Sequence, residues 1–176
     1  KAAISRITQE VKKHAGLPIV IDDSDILSSR MIGVRAAGLI STYGSIPLMI
    51  TDFAELVSDS GDNQEQRVAR VFLNSRALAK RLSCTHMLLS QLSREVERTG
   101  SRVPDMRHLR YSGMAEAMGD LIALIYPPYQ YVKRGIKITS HPSMPPRQGV
   151  SYFILVKHKE GDTGFRIKGC GQEILI

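Results

Sequence analysis

Three stretches of the chain end an apolar run in groups able to handle phosphate or a cation. "IPLMITDFAEL" (46–56) climbs through hydrophobic residues to Thr51 and then presents Asp52. "THMLLSQLSRE" closes its run with Ser90 and Gln91, and "YFILVKHKE" closes with Lys157, His158 and Lys159. An acid at the end of a buried β-run can hold Mg²⁺ as that ion bridges the β- and γ-phosphates of a nucleotide. A glutamine at the next strand end can sense a γ-phosphate or place a water by hydrogen bonding, with no change of charge. Each residue also has a plain structural reading. Parallel strands often end in Asp for solvation or to cap the next helix, and a polar strand end can simply face a wet crevice.

The elements that must position these groups alternate in type. "AAISRITQEVKKHAG" has helical spacing through Ile4, Ile7 and Val11 and stops at Gly16. "LPIVIDDSD" is short, β-branched and ends in Asp22 and Asp23, which predicts a buried strand. "SSRMIGVRAAGLISTYGS" predicts a helix with Ile32, Ala36, Leu39 and Ile40 on one side, and "IPLMITDF" predicts the next strand. After the polar loop "SDSGDNQEQ", Val68, Val71, Phe72, Ser75, Leu78, Ala79 and Leu82 recur at three- and four-residue steps, the cleanest helix in the chain. Strands are predicted in "THMLLSQL" and "DLIALIYPP", with a short helix at Met114–Met118 between them. "VKRGIKITSHPSMPPRQGVS" predicts a loop or hairpin connection, and "YFILVKHK", "EGDTG" and "FRIKGCGQEILI" a terminal hairpin. The expected fold class is therefore α/β: a mostly parallel sheet with helices on both faces and a C-terminal antiparallel strand pair. In such sheets ligands sit beyond the carboxyl ends of the strands, where Asp22, Asp23, Asp52, Ser90, Gln91 and Lys157–Lys159 fall.

At 176 residues with 43% hydrophobic content, the chain is one domain's worth of sequence, able to bury a core. No apolar run reaches bilayer-spanning length and no signal peptide opens the chain, which predicts a cytoplasmic protein with no membrane partner. Cys84 and Cys170 lie far apart, and His14, His86, His108, His141 and His158 are scattered, so no transition-metal spacing occurs. The formal charge of +7 favours a polyanionic partner. Its densest region is "SREVERTGSRVPDMRHLRYSG", where Arg94, Arg98, Arg102, Arg107 and Arg110 are interspersed with Glu95, Glu97 and Asp105. Local ion pairs in a solvated loop would explain that stretch. A backbone-tracking surface for single-stranded DNA would explain it too, by charge more than by stacking, since few aromatics interleave.

Taken in order, these stretches resemble the RecA-like motor domain of the replicative hexameric DNA helicases of the DnaB type. "LPIVIDDSD" is similar to the family's "PLYIDD" strand, and "PLMITDFAEL" to its Walker B strand, commonly "IVIDYLQL". "LSQLSREVE" is similar to "LSQLSR.VE", the most specific match. "RHLRYSGMAEAMGDLI" resembles "SDLR.SG.IEQDAD.V", and "VKHKEGDTG" resembles "KQRNGPTG". The resemblance runs over almost the whole chain and implies a single RecA-like ATPase domain over residues 1–176, partial at its N-terminal side. It implies ATP and Mg²⁺ as cofactors, with Asp52 as the Walker B carboxylate and metal ligand. Gln91 would link the γ-phosphate to the DNA-facing loop that follows. Arg110, Glu116 and Asp120 fall on the family's Arg, Glu and last Asp, and Lys157 and Lys159 on the pair that reaches a neighbouring subunit's ATP site. Arg94, Arg98, Arg102 and Arg107 would line the channel for single-stranded DNA. The implied partners are further copies of the chain in a hexamer, a primase and a helicase loader, in a bacterial or phage-infected cell.

The departures shape the expectations. Lys159 stands where the family has Arg, and Lys lacks the bidentate fork. Ala117 and Met118 replace the Gln and first Asp of "EQDAD". No GxxxxGK[ST] phosphate loop occurs, and the first residue is Lys1, which predicts the C-terminal portion of a motor domain whose phosphate loop lies upstream. The expected function is ATP-driven unwinding of duplex DNA by a ring that translocates on single-stranded DNA. The competing expectations are another RecA-like ATPase such as a recombinase, disfavoured by the "LSQLSR…LRYSG" order, and a non-catalytic module that grips DNA or a helicase.

Overall fold

Helix α1 (Ser29–Tyr43) begins where Ser28, in extended backbone, accepts a hydrogen bond from the Met31 amide at 3.3 Å. It ends at Gly44, whose φ of 85° suits a residue without a β-carbon. This computed structural model describes residues 4–5, 7–9 and 15–161, and the backbone of 166–170. Helix α2 (Gln64–Leu82) is capped by Asn63, whose side chain accepts from the Gln66 amide at 2.9 Å. Val68, Val71, Ser75 and Leu78 are its buried residues, at the spacing the sequence predicts. The two helices meet at Gly33, where a β-carbon would come within 2.6 Å of Leu78 Cδ2. Asp59 fastens them together: its carboxylate accepts from the Ser29 amide (2.8 Å), the Ser29 hydroxyl (2.7 Å) and the Asn74 side-chain amide (2.9 Å).

Strands β1 (Leu48–Thr51) and β2 (Thr85–Leu88) pair in parallel, Leu48 opposite Thr85 and Thr51 opposite Leu88. The pairing continues past the strand ends. The Leu89 amide donates to the Thr51 carbonyl at 3.0 Å, and the Ala54 amide to the Leu89 carbonyl at 2.8 Å. One face of this pair packs on α2, with His86 wedged between the Thr51 hydroxyl (2.9 Å) and the Ser75 carbonyl (3.4 Å). On the other face Ile50 and Met87 are 56% and 47% exposed.

Strands β3 (Leu121–Tyr126), β4 (Val150–His158) and β5 (Arg166–Cys170) form a separate antiparallel sheet in that order. Helices α3 (Ser112–Met118) and α4 (Pro128–Lys133) flank β3 in sequence. Alternation along β3 buries Ile122, Leu124 and Tyr126 and turns Leu121 and Ile125 outward. The larger core joins Leu109, Ala115, Ile122, Leu124, Tyr126, Met144, Tyr152 and Ile154. The smaller one joins Ala54, Val57, Val68 and Val71, and Phe72 packs against both.

The α/β reading, with its parallel strands, flanking helices and terminal antiparallel pair, matches this architecture; the antiparallel part also takes in β3. Among the described residues the strand expected in "LPIVIDDSD" does not form, and Ile19, Val20 and Ile21 are exposed. Among the described residues no strand lies beside this run to pair with it. At its end Asp22 accepts from the Ser24 amide at 3.1 Å and forms an exposed ion pair with Arg35 of α1. The Arg35 guanidinium holds the Asp22 carboxyl down to about 2, with help from the Ser24 hydroxyl and amide. Of the expected first helix, residues 4–5 and 7–9 are helical and the rest lies outside the described residues, as does "GQEILI" of the last strand. No helix among the described residues is long and apolar enough to cross a membrane.

Candidate functional site

The parallel register of β1 and β2 carries two polar side chains to the same end of the pair. Asp52 follows Thr51, and Gln91 lies three residues beyond Leu88. The backbone bonds Leu89 to Thr51 and Ala54 to Leu89 keep the two chains side by side to that point. Both side chains are exposed, and neither makes a hydrogen bond or ion pair with the described residues. A solvated carboxylate left unpaired at a strand's carboxyl end suits an outside cation. Mg²⁺ binds through one or two carboxylates and keeps several waters, so a single exposed Asp fits its habits.

A residue not singled out by sequence reasoning joins the two ends. Glu55, in the 3₁₀ turn Ala54–Leu56, accepts through Oε1 from the Ser90 hydroxyl at 2.8 Å and the Gln91 amide at 3.2 Å. The only sequence signal was an acid three positions after Asp52, and its partners lie 35 and 36 residues further on. On its far side Gln91 is gripped again, its carbonyl accepting from the Arg110 amide at 3.4 Å. The chain then continues through a bridge between Leu92 and Leu109 and a 2.6 Å bond from the Ser93 amide to the His108 carbonyl.

That pairing turns the basic stretch into a folded platform. A 3₁₀ turn spans Arg94–Arg98 over the buried Val96, and a second spans Met106–His108. The Tyr126 hydroxyl donates to the Ser101 carbonyl at 2.9 Å, and the Thr139 amide to the Gly100 carbonyl at 2.9 Å. Its four candidate arginines are not equivalent. Arg94 and Arg98 are exposed and have no hydrogen-bond or ion-pair partner among the described residues. Arg107 is exposed but forks onto Asp105, at 2.7 Å for the shorter arm. That guanidinium pulls the Asp105 carboxyl below the usual range, and Asp105 in turn holds Arg107 charged. Arg102 is half-buried, takes a φ of 53° and covers the Tyr131 ring. Charge was legible in the sequence; which charges are spoken for was not.

Lys157 and Lys159 sit elsewhere, beside the start of β3. Lys157 donates to the Glu116 carbonyl, and Lys159 lies 3.8 Å from the Asp120 carboxylate while its amide donates to the Asp120 carbonyl at 2.9 Å. Arg76 of α2 holds Asp120 from the other side at 2.8 Å and is the main reason its carboxyl stays below the ordinary range. The structure thus brings Asp52 and Gln91 together and anchors the two lysines in a second cluster with Glu116 and Asp120. Glu116 serves there through its backbone, and Arg110 touches Gln91 through its backbone.

The geometry is that of a strand-end site in a parallel pair, with a basic platform leading directly from it. The profile of the DnaB-like helicase C terminal domain matches residues 1–168. The chain belongs to this family. A replicative DNA helicase DnaB of Rickettsia bellii (strain RML369-C) is 27% identical over 177 residues, covering 93% of this chain and 35% of that protein. The chain therefore spans about a third of the length of this DnaB relative. Two solved structures share the fold with TM-scores of 0.79, each over 93% of the chain. One is an ATPase domain, at 22% identity and 55% of that chain; the other is a DnaB-like replicative helicase described with its interactions with primase, at 20% and 37%. The DnaB-type resemblance and its RecA-like architecture, read first in "LSQLSREVE" and "PLMITDFAEL", are thereby established for this chain.

Proposed function

We propose that this DnaB-type domain works as part of an ATP-driven DNA helicase, a homo-oligomeric ring, most simply a hexamer, that moves along single-stranded DNA. The observation that carries the reading is the placement of Asp52 and Gln91 at the same end of the β1–β2 pair. Two exposed side chains, without partners among the described residues, stand at the carboxyl ends of adjacent parallel strands, and the backbone of one runs on into an arginine-bearing platform. Asp52 is the residue that would hold Mg²⁺, and the bound ion would neutralise charge on β- and γ-phosphate oxygens. Gln91 then offers a neutral donor and acceptor to the γ-phosphate. Any shift of its backbone passes to Arg94 and Arg98 through two residues of paired chain. Those arginines grip the phosphate backbone without reading bases.

No phosphate-loop motif occurs within the 176 residues, so these residues supply one wall of the nucleotide pocket. Lys157 and Lys159 would act across a subunit boundary, being anchored away from Asp52 in their own chain. A primase and a helicase loader are the further partners of this reading, and the bacterial cytoplasm is its setting. The test is Mg²⁺-dependent ATP turnover by the complete open reading frame that encodes this chain. Asp52→Asn keeps the shape and removes the charge, so turnover should vanish while the thermal melt stays in place. Turnover at the wild-type rate would overturn the assignment.

A further inference from the structure

Glu55 is placed as no ordinary surface glutamate is. One oxygen accepts two hydrogen bonds, from the Ser90 hydroxyl and the Gln91 amide. The other, Oε2, is buried and has no hydrogen-bond partner among the described residues. Half-burying a carboxylate with one oxygen unsatisfied is costly, and native folds seldom leave such an atom without a reason. Here the carboxylate spans the gap between the turn after Asp52 and the end of β2. With Glu55 on its amide and Arg110 on its carbonyl, the Gln91 backbone is held on both sides while its side chain stays exposed.

We propose that Glu55 is a positioning residue for Gln91: it fixes the end of β2 against the turn that follows Asp52 and so sets the distance between the two side chains. The proposal rests on the nucleotide-site reading above. Losing the Glu55 acceptor would turn the Ser90 hydroxyl and the Gln91 amide toward water. The backbone bonds from Leu89 to Thr51 and from Ala54 to Leu89 would remain, so the strand pair itself should hold. The lesion would be confined to the aim of Gln91.

A double-mutant cycle on the complete reading frame tests this, with DNA-stimulated ATP turnover as the readout. Glu55→Ala should lower kcat about tenfold with KM for ATP held within about twofold, the signature of a misplaced group and not of lost ground-state binding. Gln91→Ala should cost at least as much, and the double variant should be no slower than Gln91→Ala alone, because both act through one side chain. Glu55→Gln keeps a carbonyl oxygen able to accept both bonds, and should stay within about threefold of wild type. Additive losses in the double variant, or a Glu55→Gln as impaired as Glu55→Ala, would overturn the proposal. Should Glu55→Ala fail to fold, Ser90→Ala removes one of the two donors and enters the same cycle against Gln91→Ala. Turnover that survives Asp52→Asn would instead overturn the nucleotide site, whereas full activity in Glu55→Ala beside a dead Asp52→Asn overturns only the positioning role.

Discussion

The guanidinium of Arg102 lies over the ring of Tyr131, its central carbon 5.5 Å from the ring centroid. This contact clamps the basic platform to α4, and Arg102 Nε is buried without a hydrogen-bond partner among the described residues. A cation held that way braces its loop and is poorly placed to reach a phosphate.

Salt dependence separates bracing from contact. Arg94→Ala or Arg98→Ala should each make the slope of log affinity against log salt shallower by about 0.7 for single-stranded DNA, the value for one phosphate contact. Arg102→Ala should weaken binding while leaving the slope unchanged. Fluorescence anisotropy across a salt series distinguishes the two, and a flattened slope in Arg102→Ala would return it to the contact set.

Lys159 lies 3.8 Å from Asp120, at the position where the resemblance to the DnaB-type helicases implies an arginine. A planar fork can hold a phosphate with two parallel bonds, which an ammonium cannot. Lys159→Arg should therefore raise ATP turnover, by about tenfold within the wide range that arginine fingers span. Steady-state kinetics on the complete reading frame would show it; a fall in rate would mean the site is built around lysine.

Asp59→Ala removes the acceptor for the buried Ser29 amide and hydroxyl and for Asn74 at once. The expected loss is about 2–3 kcal/mol, with the melting temperature lower by roughly 5–10 °C. A calorimetric scan reads this directly. An unchanged melt would mean water replaces Asp59 at no cost.

Burial pushes the His86 imidazole below its ordinary value, against a smaller opposing effect from the Ser75 carbonyl. The unfolded chain then takes up a proton before the folded one does. The stability owed to neutral His86 is complete above the unfolded value of 6.5 and drains away as pH falls through that point toward the folded value. Melts of wild type and His86→Gln between about pH 7.5 and 5 should show the steeper decline in wild type. Parallel curves would rule out the linkage.

Local signals were the legible ones. Asn63 before α2, Ser28 before α1 and Gly44 after it mark helix ends through bonds made within four residues, and the α2 stripe Val68, Val71, Ser75 and Leu78 needs only its own periodicity. Asp52 and Gln91 could be picked out because each ends an apolar run. Glu55 could not, since its meaning depends on Ser90 and Gln91 arriving from a different strand. The run Ile19–Ile21 shows the opposite failure: β-branched residues declare a capacity for pairing, and pairing needs a partner edge that the described residues do not supply. Arg102 and Arg107 were visible as charges, and the local acid Asp105 beside Arg107 was visible with them; Tyr131, which Arg102 covers from 29 residues away, became visible only in three dimensions.

Phe72 touches both cores, and the two sheets share no strand among the described residues. Sliding one sheet against the other therefore breaks no rung of either ladder. That slide is resisted by the Phe72 ring, by the bonds of Arg76 to the Met118 carbonyl and the Asp120 carboxylate, and by the short seam where Gln91–Ser93 borders His108–Arg110. A push delivered at Asp52 would therefore reach the antiparallel sheet through side-chain and loop contacts, and not along a shared strand.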